Sequence, residues 1–380
     1  MRIVILGGGL MGTASAFFLL THPLAPKSLE VTLIDRGAIG AAATVASFGN
    51  VRRQGRDFRQ MALAHHSLML WSELEGLLGR DVEFRATGHV RAIFHESGLK
   101  NMQDFASAAL KHGLQIDQLG QADMQRRFPF FSSEVIAGSF SPEDGSGNPR
   151  LVVPAFAQAA VRHGLSLRDF TQVTSIYPTS DGFCIETSDG PIETDLLLNT
   201  AGAWGSKIAD ELGEPVPLTP YAPQMGVTEP LEHRILPVVG VWANTAEESI
   251  YCRQVERGNI IFGGGPREKV NLVPGHAKIN PHKTLSQLNR LVQLIPTLRH
   301  ANVIRTWSGC EGYVDDMLPV MGPSTRHDGL FHAFGFCGHG FQLGPGVGSE
   351  MAALMLTGNS LTDTKPFHIS RFQASTSSET

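Results

Sequence analysis

The sequence predicts an α/β fold, in which a doubly wound parallel sheet is interrupted by a second, α+β domain built on an antiparallel sheet. Three observations predict it. Ile3 to Leu6 are apolar and unalternated, as in a strand buried on both faces, and lead through Gly7-Gly8-Gly9-Leu10-Met11-Gly12 into a small apolar helix. A second doubly buried run, Asp195-Leu-Leu-Leu-Asn199, returns only far downstream. Between and beyond these lie amphipathic helices and alternating strands, which belong to a different layer.

The elements follow in order. Arg2–Leu6 is the first strand, Thr13–Leu20 a helix ending near His22-Pro23, and Glu30–Ile34 a second strand closing on Asp35. A loop of small residues from Gly37 to Gly49 leads to a helix over about Phe58–Leu78. Val82–Phe94 reads as a hairpin turning at Thr87-Gly88, Leu99–His112 as a helix and Arg150–Gly164 as another. A strand is expected over Thr171–Ile176, then the doubly buried strand to Asn199. Pro217–Gly265 alternates as several short antiparallel strands. A helix is expected over His282–Ile295, a strand over Leu330–Phe334 and a last helix over about Gly348–Leu356, with a polar, frayed tail after Gln373. There is no internal repeat. The first domain is assigned to 1–50, 145–215 and 300–380, the second to 51–144 and 216–299.

Composition excludes several classes. Apolar residues make up 42% of the chain and charged ones 18%, a balance that favours a large core over disorder. With 31 basic and 36 acidic residues the net charge is −5, and no basic run tracks a phosphate backbone, so nucleic acid is not expected as a partner. The four cysteines, Cys184, Cys252, Cys310 and Cys337, are widely spaced, which argues against a disulfide framework or a metal site. No membrane span or signal peptide is read, and the expected location is cytoplasmic.

The chemistry starts at the glycine turn. Gly7-x-Gly9-x-x-Gly12 directly follows a strand and opens a helix. The first glycine permits the tight turn, the second lets backbone approach a pyrophosphate, and the third allows close helix–strand packing. The helix N-terminus offers unpaired N–H groups to the anion. Asp35, 23 residues after Gly12, ends the second strand where a carboxylate accepts from ribose hydroxyls. This motif alone fits NAD or FAD.

The rest of the chain separates the two. Asp144-Gly-Ser-Gly-Asn-Pro149, Leu198-Asn-Thr-Ala-Gly-Ala-Trp204, Tyr251-Cys-Arg253 with Ile261-Phe-Gly-Gly264, Trp307-Ser-Gly-Cys-Glu311, Asp316-Met-Leu-Pro-Val-Met-Gly322 and Gly335-Phe-Cys-Gly-His-Gly-Phe-Gln342 occur in that order. Together with the interrupted nucleotide domain, the chain resembles the D-amino-acid oxidase and glycine/sarcosine oxidase superfamily over nearly its whole length. The resemblance implies an interrupted Rossmann-like FAD-binding domain and a substrate domain.

It also implies site residues. Gly7, Gly9, Leu10, Met11 and Gly12 would hold the pyrophosphate, and Asp35 and Arg36 the ribose side. Thr44, Ser47, Asn50 and Val51 fall in or beside the family's loop next to the flavin. Val173 would meet adenine through its backbone, and Ala201, Gly202 and Trp204 would pass the pyrophosphate. Gly309, Gly335, Gly338, His339, Gly340, Phe341 and Gln342 would surround the flavin ring, with backbone N–H groups stabilising its reduced, anionic form. Cys310 falls one position from the cysteine that carries flavin covalently in sarcosine-oxidase-like relatives, so non-covalent FAD is expected.

Arg53, Tyr251, Arg253 and Glu311 are the candidate substrate contacts, and Glu311 and His339 the candidate catalytic residues. Arg52 and Arg53 are adjacent to the flavin loop, and an arginine fork suits a carboxylate. Where glycine-oxidase-like members carry an arginine in the WxGxR pattern this chain has Glu311, and where sarcosine-oxidase-like members carry a lysine it has Gln342. Glu311 therefore either faces a cationic or amino-bearing group or is salt-bridged to an arginine such as Arg53. His339 is a base or a histidine held by its neighbours. The implied reaction is oxidation of a C–N bond in a D-amino acid, N-alkyl amino acid, imino acid or opine, by hydride transfer to FAD and hydrolysis of the imine. A 2-hydroxyacid-type C–OH dehydrogenase and a FAD-binding subunit of a larger complex are the alternatives. Oxygen or an electron-acceptor partner, a partner subunit included, would take the electrons.

Overall fold

A computed structural model describes residues 1–272 and 277–375. Its first layer is a six-stranded sheet in the order Val320–Pro323, Leu330–Phe334, Leu196–Asn199, Arg2–Leu6, Glu30–Ile34, Ser166–Arg168. All neighbours are parallel except the edge strand Val320–Pro323. Ile5 lies opposite both Leu33 and Leu198, so the apolar runs meet at the sheet centre, where Ile5, Leu33 and Leu198 are fully buried. The strands flanking Arg2–Leu6 come from opposite directions of the chain order. Such a switch point opens a crevice at the strands' C-terminal ends, where Gly7, Asp35 and Thr200 emerge.

The second layer is an eight-stranded sheet in the order Val303–Ser308, Gln224–Pro230, Asn259–Gly264, Ile250–Gln254, Val238–Val241, His89–Ile93, Ala137–Ser141, Asp117–Gly120. Its core includes Val90, Val239, Cys252, Phe262 and Leu294. The helices Glu96–Leu110 and Pro281–Leu294 belong to this half of the molecule. Among the described residues no helix is long and apolar enough to cross a membrane.

Several sequence expectations are corrected by the fold. Val82–Phe94 is not a hairpin: Arg85 bridges to Ser146, and only His89–Ile93 is a strand, parallel to Val238–Val241 and antiparallel to Ala137–Ser141. Gly88, at φ +85°, makes the turn against the Phe140 ring, where a side chain would collide. Within 217–265, Leu218–Ala222 leaves for a separate small sheet with Glu311–Val314 and Glu268–Lys269. Val303–Ser308 pairs with Gln224–Pro230, so the stretch assigned to the first domain from residue 300 begins in the larger sheet.

The last helix runs Gly340–Thr357, eight residues longer at its start than expected, and the first helix runs Leu10–Thr21. The glycines of 340–348 read as turn signals, but the helix uses them for close approach. A Cβ at Gly348 would lie 2.6 Å from the Ala14 backbone, and one at Gly346 2.7 Å from the Ser67 side chain. The two glycines thus seat this helix against the first helix and against Met61–Leu78. The polar tail expected to fray after Gln373 lies, from residue 376, outside the described residues.

Candidate cofactor and substrate site

At the crevice, each glycine of the first turn has a measurable reason. Gly7 has φ +112°, and a Cβ there would sit 2.5 Å from the Thr200 carbonyl oxygen. A Cβ at Gly12 would overlap the Gly7 carbonyl and lie 2.8 Å from Thr200 Oγ1. Gly9 differs: its nearest neighbour would be Thr44 Oγ1 at 3.6 Å, so its surroundings within the chain leave room. The Leu10 N–H at the helix start donates to Thr44 Oγ1 at 3.2 Å. Asp35 shapes the turn from the next strand, accepting from Gly8 N–H at 2.7 Å and Gly37 N–H at 2.8 Å.

A cavity of about 520 Å³ extends from this turn. Gly7, Gly9, Leu10, Met11, Asp35, Arg36, Thr44, Ser47, Val173, Ala201, Gly202 and Trp204 line it, as do Gly335, Gly338, Gly340 and Phe341. The Arg36 guanidinium lies 3.9 Å over the Trp204 ring and ties the Asp35 side to the Ala201–Trp204 side. The last helix starts on the cavity with Gly340 and Phe341, so a second helix N-terminus meets the same space. Two helix starts, a ribose-type carboxylate and walls of glycine and alanine fit a dinucleotide with an extended ring system.

Six of the named cofactor residues do not line it. Gly12 packs beneath the turn, and Val51 is fully buried in a two-residue strand beside Asn50. Gly309 lines a neighbouring cavity of about 240 Å³ with Trp307 and Arg305. Gln342 is buried, its side-chain Nε2 donating to the Ala64 carbonyl at 2.8 Å and its backbone carbonyl accepting from Trp71 Nε1 at 2.8 Å, while its side-chain Oε1 has no hydrogen-bond partner. His339 is the N-cap residue of the last helix, and its Nδ1 is buried without a hydrogen-bond partner. Burial, with Arg56, Arg52 and Arg267 adding to it, holds His339 well below the ordinary imidazole range.

The substrate candidates divide. Glu311 lines the cavity and accepts from the Tyr313 hydroxyl at 2.7 Å. Burial pushes its carboxyl above the usual range against the pull of that bond and of Arg267. Tyr251 stacks edge-on to Phe48 at 4.7 Å, its hydroxyl 3.6 Å from Met225 Sδ. Arg253 Nε donates to the Phe48 carbonyl at 2.7 Å, bracing the loop. Arg53 is a correction: it is 5% exposed and spent on Asp144 at 3.2 Å and Glu143 at 2.5 Å, with His65 at 3.0 Å. Nothing of its guanidinium is left for Glu311, whose partner is Tyr313.

Sequence reasoning named neither Gly40–Ala43 as cavity wall nor Arg56, Arg91 and Arg267 as nearby charge. Arg91 had a signal, a charge inside the otherwise apolar run Val90-Arg-Ala-Ile93.

Comparison with known proteins agrees with this geometry. The model of the FAD dependent oxidoreductase family matches residues 2–354. Mitochondrial dimethylglycine dehydrogenase of Rattus norvegicus is 26% identical over 93% of the chain, which spans only 43% of that relative's length. The crystal structure of L-proline dehydrogenase from P. horikoshii superposes with a TM-score of 0.89 at 26% identity, covering 98% of both chains. Glycine oxidase from Geobacillus kaustophilus superposes with a TM-score of 0.89 at 21% identity over 97% of this chain and 99% of the other.

Proposed function

The chain belongs to the FAD-dependent oxidoreductase family, and we propose that it oxidises a C–N bond of a small amine or amino acid. The observation that carries this is the meeting, in one cavity, of the Gly7–Met11 turn, the second helix start at Gly340 and the carboxyl of Glu311. When bound, FAD supplies a two-electron acceptor for the hydrogen on the carbon next to nitrogen.

The chain's own residues do the rest. Gly7, Gly9, Leu10 and Met11, which line the cavity, would hold the pyrophosphate, Asp35 the ribose, Val173 the adenine side, and Gly335, Gly338 and Gly340 the ring. Glu311 is the group that meets the amine. A carboxylate raised by burial is a better proton acceptor, and an amine must be neutral before its C–H electrons can leave; Glu311 takes the ammonium proton on a carboxylate oxygen while Tyr313 holds the other side of the exchange at Oε2. His339, held neutral, neither repels a substrate cation nor competes for its carboxylate.

The cofactor is held without a covalent bond in this reading. Burial raises the Cys310 thiol and pushes Cys337 to about 11, so both cavity-lining thiols stay protonated and weakly nucleophilic. The four cysteines are free, which suits a reducing, cytoplasmic setting. Oxygen or a partner acceptor takes the electrons onward. The test is anaerobic titration of the FAD-loaded protein with D- and L-amino acids, N-methyl amino acids, cyclic imino acids and opines. Bleaching of the flavin is expected with stoichiometric release of ammonia or amine from open-chain substrates, or formation of the cyclic imine or its ring-opened hydrate from a cyclic imino acid; bleaching by hydroxy acids, with nitrogen compounds inert, would replace the reading with C–OH oxidation.

A further inference from the structure

We infer that Arg267 binds the substrate's carboxylate, so that the substrate is an α-amino or α-imino acid held by its nitrogen at Glu311 and by its acid group at Arg267; the inference rests on the C–N reading above. Its basis is the small three-stranded sheet beside the cavity. Glu311 and Tyr313 lie two residues apart on strand Glu311–Val314 and so share one face. Tyr221 stands opposite Glu311 in the middle strand, and its ring meets that of Tyr313 edge-on at 5.3 Å on the same face. Lys269 pairs with Tyr221 from the other side, and Arg267, two residues before it, brings its guanidinium to 4.6 Å over the Tyr313 ring centre. Glu311 is bonded to the hydroxyl of the very phenol that Arg267 covers.

This arrangement touches the cavity directly. Gly338 belongs to the cavity wall, and a Cβ there would lie 2.9 Å from the Tyr313 hydroxyl and 3.5 Å from Glu311 Oε2. Outward from the wall the order is therefore Gly338, the Glu311–Tyr313 pair, and then Arg267 on the exposed side. Arg267 is also unspent. Among the described residues it has no carboxylate within ion-pair distance and makes no hydrogen bond, and its neighbour Glu268 accepts from Asn280 Nδ2 at 2.6 Å instead. Other arginines near the cavity are engaged: Arg53 on Asp144 and Glu143, Arg253 on the Phe48 carbonyl, and Arg36 on the Trp204 ring beside Asp35.

A carboxyl at Glu311 repels a substrate's acid group and draws its amine, which gives an amino acid one orientation: nitrogen at Glu311 by the ring wall, carboxylate outward to Arg267. One carbon separates those two groups. With a hydrogen bond of about 2.8–3.0 Å at each end, such a molecule bridges roughly 8 Å. That span suits a path made of the 2.7 Å bond from Glu311 to Tyr313, the outer half of the phenol and the 4.6 Å from ring centre to guanidinium. The guanidinium fork takes a planar carboxylate by two parallel bonds, and a cation–π contact on an exposed face is weak enough to yield to it. Arg267 already acts on Glu311 across the ring, pulling its carboxyl down against burial. On this reading the acid-binding cation sits beside strand Glu268–Lys269, which frees position 311 for the amine.

The experiment uses matched ligands that differ only in the acid group. With FAD-loaded protein, each enantiomer of proline is compared with its prolinamide, and N-methylglycine with N-methylglycinamide, by the rate of anaerobic flavin bleaching. In parallel, pyrrole-2-carboxylate and pyrrole-2-carboxamide, which have no C–H to give up, are titrated by their effect on the flavin spectrum. The acid is expected to win over the amide by about tenfold or more in both, the factor of one charge-assisted carboxylate contact. Arg267→Gln should erase that ratio by raising KM for the acid about tenfold, with kcat and the amide's constants nearly unchanged, and Arg267→Lys should recover part of it. Because Arg267 is exposed, neither variant should shift the melting temperature of the flavin-free protein. An acid-to-amide ratio that survives Arg267→Gln, or no ratio in the unsubstituted protein, overturns the inference even where amines bleach the flavin and the C–N reading stands. A preference for pyrrole-2-carboxylate that Arg267→Gln abolishes, without bleaching by any amine, keeps Arg267 as the carboxylate contact and removes the C–N reading.

Discussion

Replacing Gly9 and Gly12 separately by alanine divides cofactor binding from folding. Gly9 sits at φ −76°, ψ −170°, ordinary extended backbone, and its Cβ would meet only Thr44 Oγ1 at 3.6 Å. Gly9→Ala should therefore change the melting temperature of the flavin-free protein little, within about 0.5 kcal/mol. The new methyl nonetheless occupies the space a pyrophosphate needs against the first helix. Losing two charge-assisted hydrogen bonds of about 1.5–3 kcal/mol each weakens FAD by roughly 3–6 kcal/mol, or about two to four decades in Kd. At Gly12 the order reverses. The Cβ would overlap the Gly7 carbonyl and press on Thr200 Oγ1 at 2.8 Å, both backbone-anchored, so Gly12→Ala should destabilise even the flavin-free protein by about 1–3 kcal/mol or more. Thermal melts without flavin, and Kd from quenching of flavin fluorescence, read the two effects independently. A Gly9→Ala protein that binds FAD with unchanged Kd would refute the placement of the pyrophosphate on this turn.

Three further outcomes are expected. Arg53→Met leaves fully buried Asp144 without its ion-pair partner and should lower stability by about 3–5 kcal/mol in denaturant melts. Glu311→Gln should raise the apparent KM roughly tenfold and abolish an acid-limb pKa in kcat/KM that lies above the ordinary carboxylate range; a limb that survives the substitution assigns it elsewhere. The stability sign for Glu311 is also fixed: its folded pKa is raised, so the folded state holds the proton longer and stability falls as pH rises from the unfolded value through the folded one, a slope Glu311→Gln should remove. Glu214 runs the other way. Burial opposes its ionisation, but bonds from His332 at 3.1 Å and from the Thr325 N–H and hydroxyl at 2.7 Å bring it down to about 2, so its contribution is complete above an unfolded value near 4.5 and is lost as pH falls toward about 2. Acid melts of Glu214→Gln should lose that part of the pH dependence.

Much of the first layer was legible because its signals are local. An unalternated strand, a glycine turn, a helix and an acid at the next strand end all lie within 35 residues, and both predicted strands, Arg2–Leu6 and Glu30–Ile34, have the expected bounds. Gly7, Gly9, Asp35, Gly202 and Trp204 of the cavity wall were readable for the same reason, since each sits at a strand end or a turn with its own sequence mark, whereas Gly40–Ala43 carry none. Glycine was the least transparent residue. Gly344 to Gly348 look like a loop in sequence, but only the packed first helix reveals that they are the spaces through which two helices approach.

Charge partnership was beyond the sequence altogether. Arg53 and Glu311 looked available to each other or to a ligand, and no local pattern distinguishes an arginine that is spent from one that is free. Tertiary packing decided it, by carrying Asp144 to Arg53 across 91 positions, by placing Tyr313 on Glu311, and by leaving Arg52, Arg56 and Arg91 without an acid of their own. The sequence alone determined the phosphate turn and the central strands, because hydrophobic period and backbone sterics act over a few residues. Which cations remain unpaired is a sum over neighbours from distant strands, and only the folded chain performs that sum.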